Sequence, residues 1–86
     1  MGLHCGIDLR FDNSRVTIFD ESRKTVLSRD LPNCIGDVLD TLQPFREDLD
    51  EIAVESALDW YWLVDGLMEA GYEVLLVGGS PTRLVT

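Results

Sequence analysis

Residues 3–31 read LHCGIDLRFDNSRVTIFDESRKTVLSRDL, and their pattern governs the architecture expected for the whole 86-residue chain. The first part, Leu3–Leu9, is mostly apolar and ends in charge, which predicts a buried strand. Arg15–Phe19 is rich in β-branched and aromatic residues, which fit a pleated surface. Lys24–Leu31 predicts a third strand, and short polar turns separate the three. We therefore predict an antiparallel three-stranded meander.

The hydrophobic period changes from two to 3.6 after Pro32. An amphipathic helix is predicted there, with Asn33 as its N-cap and Pro44 just beyond its end. Its apolar stripe has the spacing i, i+3, i+4 and i+7, at Ile35, Val38, Leu39 and Leu42. The segment is therefore expected to cover a sheet.

The second half of the chain repeats the alternation of strand and helix. Asp50–Glu55 predicts a buried fourth strand, and Tyr72–Val77 predicts a fifth. Between them a helix is expected to begin at Ser56, with Asp59 completing a capping box, and to end at a left-handed Gly71. The order β-β-β-α-β-α-β predicts an α/β fold, a mixed sheet covered by helices.

Composition and charge limit the classes of function. Seven Lys and Arg against sixteen Asp and Glu give a net charge of −9, which argues against a free-standing nucleic-acid binder. Residues 33–73 carry one basic and eleven acidic side chains, a net of −10, so any basic surface is expected elsewhere. The chain shows no basic leader before an apolar stretch and no apolar run that could span a bilayer. Two cysteines, Cys5 and Cys34, are too few for a disulfide scaffold and predict reduced, partly buried thiols. We expect a cytoplasmic protein without a membrane partner.

Two carboxylates stand out by position. Asp8 interrupts the apolar first strand, and Glu55 ends the fourth strand directly before a helix. If those strands are neighbours, both side chains lie in one crevice at strand ends, where open sheets bind ligands. Carboxylates so placed suit Mg²⁺, and a pair of such ions would serve phosphodiester cleavage. The competing interpretation is that both acids are solvated or cap the following turns.

The other candidate residues favour structural roles. His4 is the only histidine and has no nearby partner for catalysis or metal binding, so it is expected to be an ordinary strand residue. Trp60–Trp62 could stack nucleobases, but three consecutive aromatics cannot share one helical face, which favours core packing. Gly78–Thr82 follows a strand without the Lys of a phosphate-binding loop, and a frayed tail is expected.

Several short motifs along the chain are characteristic when taken together: Gly6-Ile7-Asp8-Leu9, Leu31-Pro32-Asn33, Pro44-Phe45-Arg46-Glu47, Val54-Glu55-Ser56, Trp60-Tyr61-Trp62-Leu63-Val64-Asp65-Gly66-Leu67 and Ala70-Gly71-Tyr72. This set resembles one protein family, the DEDD transposases of the insertion-sequence family numbered one hundred and ten. The resemblance implies a ribonuclease-H-like (RuvC-like) fold, with Asp8 and Glu55 as the first two acids of a four-carboxylate Mg²⁺ site. It further implies DNA strand cleavage and exchange, a guide RNA, and a homo-oligomer in the full-length protein.

The chain departs from that family after the fifth strand. Residues 1–77 are expected to form the N-terminal part of a RuvC-like transposase domain, and residues 78–86 a divergent tail without the last two acids. We expect such a truncated chain to be inactive alone. An alternative is a non-catalytic interaction domain or relic on the same fold. A third alternative, an actin-type or sugar-kinase nucleotide-binding half, needs a Gly-rich turn that residues 9–14 lack.

Overall fold

The structure, a computed structural model, describes residues 2–55 and 60–77. Its elements are strands β1 (Leu3–Leu9), β2 (Asn13–Asp20) and β3 (Thr25–Pro32), helix α1 (Ile35–Leu42), a 3-10 helix (Gln43–Phe45), strand β4 (Leu49–Glu55), helix α2 (Tyr61–Glu69) and strand β5 (Val74–Val77). The predicted mixed α/β architecture is confirmed. The 3-10 turn, which contains Pro44, was not predicted. The predicted helix start at Ser56 and its capping box with Asp59 lie outside the described residues.

One five-stranded sheet in the order β3-β2-β1-β4-β5 organises the domain. Strands β1, β2 and β3 pair antiparallel, so the predicted meander is confirmed. Strand β4 pairs parallel with β1, and β5 pairs parallel with β4. A parallel neighbour needs a crossover, which α1 supplies between β3 and β4 and α2 supplies between β4 and β5. The first strand therefore lies at the centre of the sheet.

The hydrophobic core lies on one face of this sheet. Its buried residues form a single cluster, contributed by alternate strand positions and by both helices: Cys5, Ile7, Leu9, Val16, Ile18, Leu31, Val38, Leu42, Ile52, Val54, Leu63 and Leu67. Since side chains alternate along a strand, residues of β1, β2 and β4 between these positions point to the opposite face. The expectation of helices covering the sheet is thus met on one face within residues 2–55 and 60–77. We call the other face the open face.

Asn33 does not cap α1, contrary to the prediction. The N-cap is Cys34, which makes no side-chain cap hydrogen bond. The Asn33 amide instead donates to the carbonyl oxygens of Arg10 (3.0 Å) and Phe11 (3.3 Å) in the β1–β2 turn. Its Oδ1 accepts from the buried Ser14 hydroxyl at 2.6 Å. A buried hydroxyl and turn carbonyls need partners, and Asn33 can serve both at once.

The end of α2 is held by an arginine from a distant part of the chain. Arg46 donates to the carbonyl oxygen of Ala70, the C-cap residue, and its guanidinium lies 4.8 Å from the centre of the Tyr72 ring. Gly71 follows with φ +95°, so the predicted left-handed cap is confirmed. No helix within residues 2–55 and 60–77 has the length and apolar character needed to cross a membrane.

Candidate functional site

Asp8 and Glu55 are direct neighbours on adjacent parallel strands. Their Cα atoms are register partners between β1 and β4, at the carboxyl ends of both strands. Ile7 and Val54, one position earlier on each strand, are buried in the core. Both carboxylates therefore lie on the open face, on strands about 4.8 Å apart. The condition on which the sequence argument depended, adjacency of the first and fourth strands, holds.

An open pocket of about 330 Å³ lies beside the two carboxylates. Its lining includes Gly6, Thr17 and Ala53, which are small, and Val77 on β5. A Cβ atom built on Gly6 would meet nothing within 4 Å, so the floor of the pocket is backbone. This arrangement leaves room for a ligand next to the acids.

A chain of ion pairs links Asp8 on β1 to charged side chains of β2 and β3. Arg10 Nε lies 3.3 Å from Asp8 Oδ2, and Arg10 Nη1 lies 3.8 Å from Asp30 Oδ1. Arg15 Nη1 lies 3.1 Å from the same oxygen of Asp30. The side chains are about half exposed, so each pair contributes at most about 1 kcal/mol. Their main effect is to orient Asp8, whereas Glu55 has no ion pair with any described residue.

The carboxylates of Asp8 and Glu55 supply some, but not all, of the oxygen ligands that a hard divalent cation needs. Carboxylate oxygens are the ligands that Mg²⁺ prefers, and it commonly uses one or two of them with water and phosphate oxygens. Within residues 2–55 and 60–77 there is no cluster of three or more His, Cys, Asp or Glu side chains suited to a metal. Asp8 and Glu55 thus provide two ligands, and the others would come from water, substrate or further protein groups.

The remaining candidates from the sequence lie away from this pair. His4 is on the open face at the opposite end of β1, where its ring lies 5.6 Å from the ring of Phe19. Trp60 and Trp62 pack against the core, as predicted, while Tyr61 is exposed on α2. Gly78–Thr82 lies outside the described residues.

The two thiols differ in environment. Burial at the centre of the sheet raises the pKa of Cys5 from 9.0 to about 12, because the thiolate is poorly solvated there. Cys34 is exposed beside α1, so the prediction of partial burial is wrong for it. Both are free, and neither lies beside the carboxylate pair.

Sequence reasoning predicted a polar turn after the first strand but missed the role of Arg10 beside Asp8. The signal was present, because Asp8 and Arg10 are two apart and therefore share one face of an extended chain. The local pattern could not show that Asn33 hydrogen-bonds this turn, because Asn33 is 23 residues from Arg10.

Comparison with known proteins gives a likeness in fold. A solved structure from Bacteroides thetaiotaomicron VPI-5482, a protein with an actin-like ATPase fold and unknown function, superposes with a TM-score of 0.66 at 14% sequence identity. The match covers 88% of this chain and 32% of that one, so the chain spans about a third of its length. No family model matches the sequence, and no curated protein is significantly similar to it.

Proposed function

We propose that this chain is part of the RuvC-like, ribonuclease-H-like catalytic domain of a DNA transposase. In this proposal Asp8 and Glu55 bind Mg²⁺ for phosphodiester cleavage and strand exchange. The observation that carries it is the register of β1 and β4, which brings the two carboxylates side by side on the open face. A bound divalent cation would supply Lewis-acid activation of phosphate oxygens.

The protein's own residues have distinct tasks in this proposal. Asp8 and Glu55 provide oxygen ligands from two strands of one sheet, so their separation is set by backbone hydrogen bonding rather than by flexible loops. Arg10 orients Asp8 through the 3.3 Å ion pair. Gly6 leaves the pocket floor open to a phosphate group.

The charge distribution favours approach of DNA from the meander side. Residues 3–32, the three meander strands, carry five basic and five acidic side chains, a net of zero, whereas residues 33–73 carry a net of −10. Polyanions are therefore repelled less by the meander than by the second half of the chain. The net charge of −9 means that basic surface for DNA, and for the guide RNA that the family resemblance implies, would have to be supplied by other protein, such as further subunits.

A second candidate is nucleotide binding on an actin-like fold, which the structural likeness favours. Phosphates on such folds are cradled by backbone N–H groups of glycine-rich turns. The turn between β1 and β2 here is Arg10–Asn13, which contains no glycine and carries an exposed aromatic ring. We therefore rank metal-assisted DNA chemistry first.

The test is a titration of the full chain with Mn²⁺ and Mg²⁺, followed by amide NMR. Paramagnetic Mn²⁺ is expected to broaden residues 6–9 and 53–55 first, and Mg²⁺ to shift the same signals with an affinity of about 1 mM or weaker, because only two carboxylates are fixed. Asp8→Asn and Glu55→Gln should each abolish the effect. Glu51→Gln is the matched control, since Glu51 is an exposed acid on the same strand and face but at its other end.

Broadening spread over all acidic residues, or equal in the control and site variants, would refute a defined site. A folded chain with no local effect would favour the non-catalytic interaction domain. ATP-induced shifts in the β1–β2 turn that survive Asp8→Asn would favour the nucleotide-binding alternative.

A further inference from the structure

We propose that the open face of strands β1, β4 and β5 is the docking surface for a basic amphipathic helix of a partner protein. The inference goes beyond the proposed function, because it needs neither metal nor DNA. The three strands run parallel to one another, and parallel sheets are almost always covered on both faces. Helices α1 and α2 both pack on the core face, so no helix among the described residues covers the open one.

Strand β5 has the sequence of a strand that is buried on both faces. Its four residues form a continuous apolar run, Val-Leu-Leu-Val, rather than an alternating one. Val74 and Leu76 pack against the core. Leu75 and Val77 therefore point to the open face, where they are 50% and 37% exposed. A cover over this side of β5 would bury both of them.

A shallow trough of small residues leads to Leu75 across the strands. Gly6 on β1 and Ala53 on β4 are register partners, and Leu75 is the partner of Ala53 on β5. Ala53 lines two open pockets, of about 330 and 310 Å³, which meet there. Three neighbouring strands are about 10 Å wide, which is also the diameter of one helix. The surface thus has the width and the low floor that a single helix needs.

The charge on this surface selects a basic partner. Strands β1, β4 and β5 contain no Lys or Arg, and their open face carries the carboxylates of Asp8, Glu51 and Glu55. Asp8 is paired with Arg10, but Glu51 and Glu55 have no ion pair with a described residue. These two acids are four positions apart on β4, about 13 Å. Two turns of an α-helix advance about 11 Å, so flexible cations seven or eight residues apart would reach both acids.

A second copy of this chain is a poor occupant of the surface. The exposed charges on the helices that it could present are all acidic: Asp37, Asp40, Asp65 and Glu69. Either helix would bring like charges onto Glu51 and Glu55, which is unfavourable. The occupant is therefore a different protein, whose helix carries Lys or Arg on both sides of an apolar stripe.

The test measures binding of a synthetic fluorescein-labelled peptide to the full chain by anisotropy, in EDTA. The peptide has about five helical turns, with Leu at the positions i, i+3, i+4 and i+7 and Lys elsewhere. A peptide of the same composition, in an order without the apolar stripe, is the control ligand and should bind much more weakly.

Two variants of the surface are expected to weaken binding of the striped peptide. Leu75→Ser should do so by about 4- to 10-fold, because the exposed half of the leucine side chain is no longer there to be buried. Glu51→Gln should do so by about 2- to 5-fold, the range for an exposed ion pair. The matched controls on α2, Met68→Ser and Glu69→Gln, also change an exposed apolar and an exposed acidic residue, and they should bind as the wild type does.

Amide NMR locates the bound peptide. Shifts are expected for residues 4–8, 51–55 and 73–77, which form the open face of the three strands. The variants should keep the wild-type spectrum away from the substituted positions, because the substituted side chains are exposed.

Several outcomes would overturn the inference. They are no binding up to the solubility limit of the peptide, equal affinity for the peptide without the stripe, equal affinity of Leu75→Ser and wild type, and shifts centred on α1 and α2. Self-association in sedimentation that Leu75→Ser abolishes would also overturn it, because a second copy would then cover the face.

The two proposals can fail separately. Glu55 takes part in both, so the peptide is tested in EDTA and Mn²⁺ is tested without peptide. Glu51 and Leu75 belong to the docking surface alone. Peptide binding that depends on them, with no local Mn²⁺ effect, would support the docking surface and reject the metal site. The reverse result would reject the docking surface alone.

Discussion

Replacing Gly66 by alanine tests how closely the two helices pack. A Cβ atom at Gly66 would lie 2.6 Å from Ile35 Cδ1 and closer still to Cγ1, well inside van der Waals contact. Ile35 is the first residue of α1, and a β-branched side chain in a helix has one strongly preferred rotamer. It therefore cannot swing aside without cost, and the helices must shift.

The magnitude is the balance of two opposing effects. Overpacking costs about 1–3 kcal/mol, whereas replacing glycine by alanine inside a helix gains about 1 kcal/mol. Gly66→Ala is therefore expected to lower the free energy of unfolding by up to about 2 kcal/mol. In an Ile35→Ala background only the Ile35 Cβ remains, at an ordinary 3.5 Å, and Gly66→Ala should then stabilise by about 1 kcal/mol. The coupling between the two sites is thus about 1–3 kcal/mol.

The assay is equilibrium unfolding in urea of the wild type, both single variants and the double variant, followed by tryptophan fluorescence. For 86 residues the total free energy of unfolding is about 4–13 kcal/mol, so the coupling is measurable. If Gly66→Ala has the same effect in both backgrounds, the reasoning about the contact between α1 and α2 is refuted. Unchanged denaturant slopes would show that the variants alter stability and not compactness.

Two further predictions concern Arg46 and Cys5. Arg46→Ala should lower the free energy of unfolding by about 1–2 kcal/mol, because it removes the cap of α2 and the contact with Tyr72. Arg46→Lys should restore only part of this loss in thermal melts, because an ammonium lacks the guanidinium fork. The pKa of Cys5 is about 12 in the folded chain against 9.0 for a free thiol, so the unfolded chain loses this proton first as pH rises. The contribution of the Cys5 thiol to the free energy of unfolding is therefore fully present below pH 9 and is lost as pH rises toward 12. The slope attributable to Cys5 should approach about 1.4 kcal/mol per pH unit, and a Cys5→Ala chain with the same slope as wild type would contradict this account.

Local periodicity accounts for most of the secondary structure. The mostly apolar run Leu3–Leu9 and the i, i+3, i+4, i+7 stripe that begins at Ile35 led to elements that the structure contains at nearly the predicted bounds. The main error concerned a side chain that could hydrogen-bond either a local helix terminus or a distant part of the chain. Asn33 was assigned to a helix terminus one residue away, but it bonds a turn more than twenty residues earlier in the chain.

At the candidate site too, the sequence identified the residues and the strand pairing decided their contact. Position alone singled out Asp8 and Glu55, because an acid in an apolar strand is costly to bury and so points to the solvent or to a ligand. That they stand side by side depends on β4 pairing with β1 rather than with β3, a pairing that joins residues 47 positions apart in the sequence. Their role as metal ligands remains a prediction.

The amino-acid sequence by itself thus determined which segments are strands and helices and which acids interrupt them, because periodicity and burial cost act between near neighbours. Only the tertiary structure decided that the open face carries Asp8 and Glu55 in register, that Asn33 holds the turn bearing Phe11, and that Arg46 closes α2. These contacts join segments that are distant in sequence. Which residues become partners depends on how the packed core brings distant segments of the backbone together, and the local sequence pattern contains no information on this.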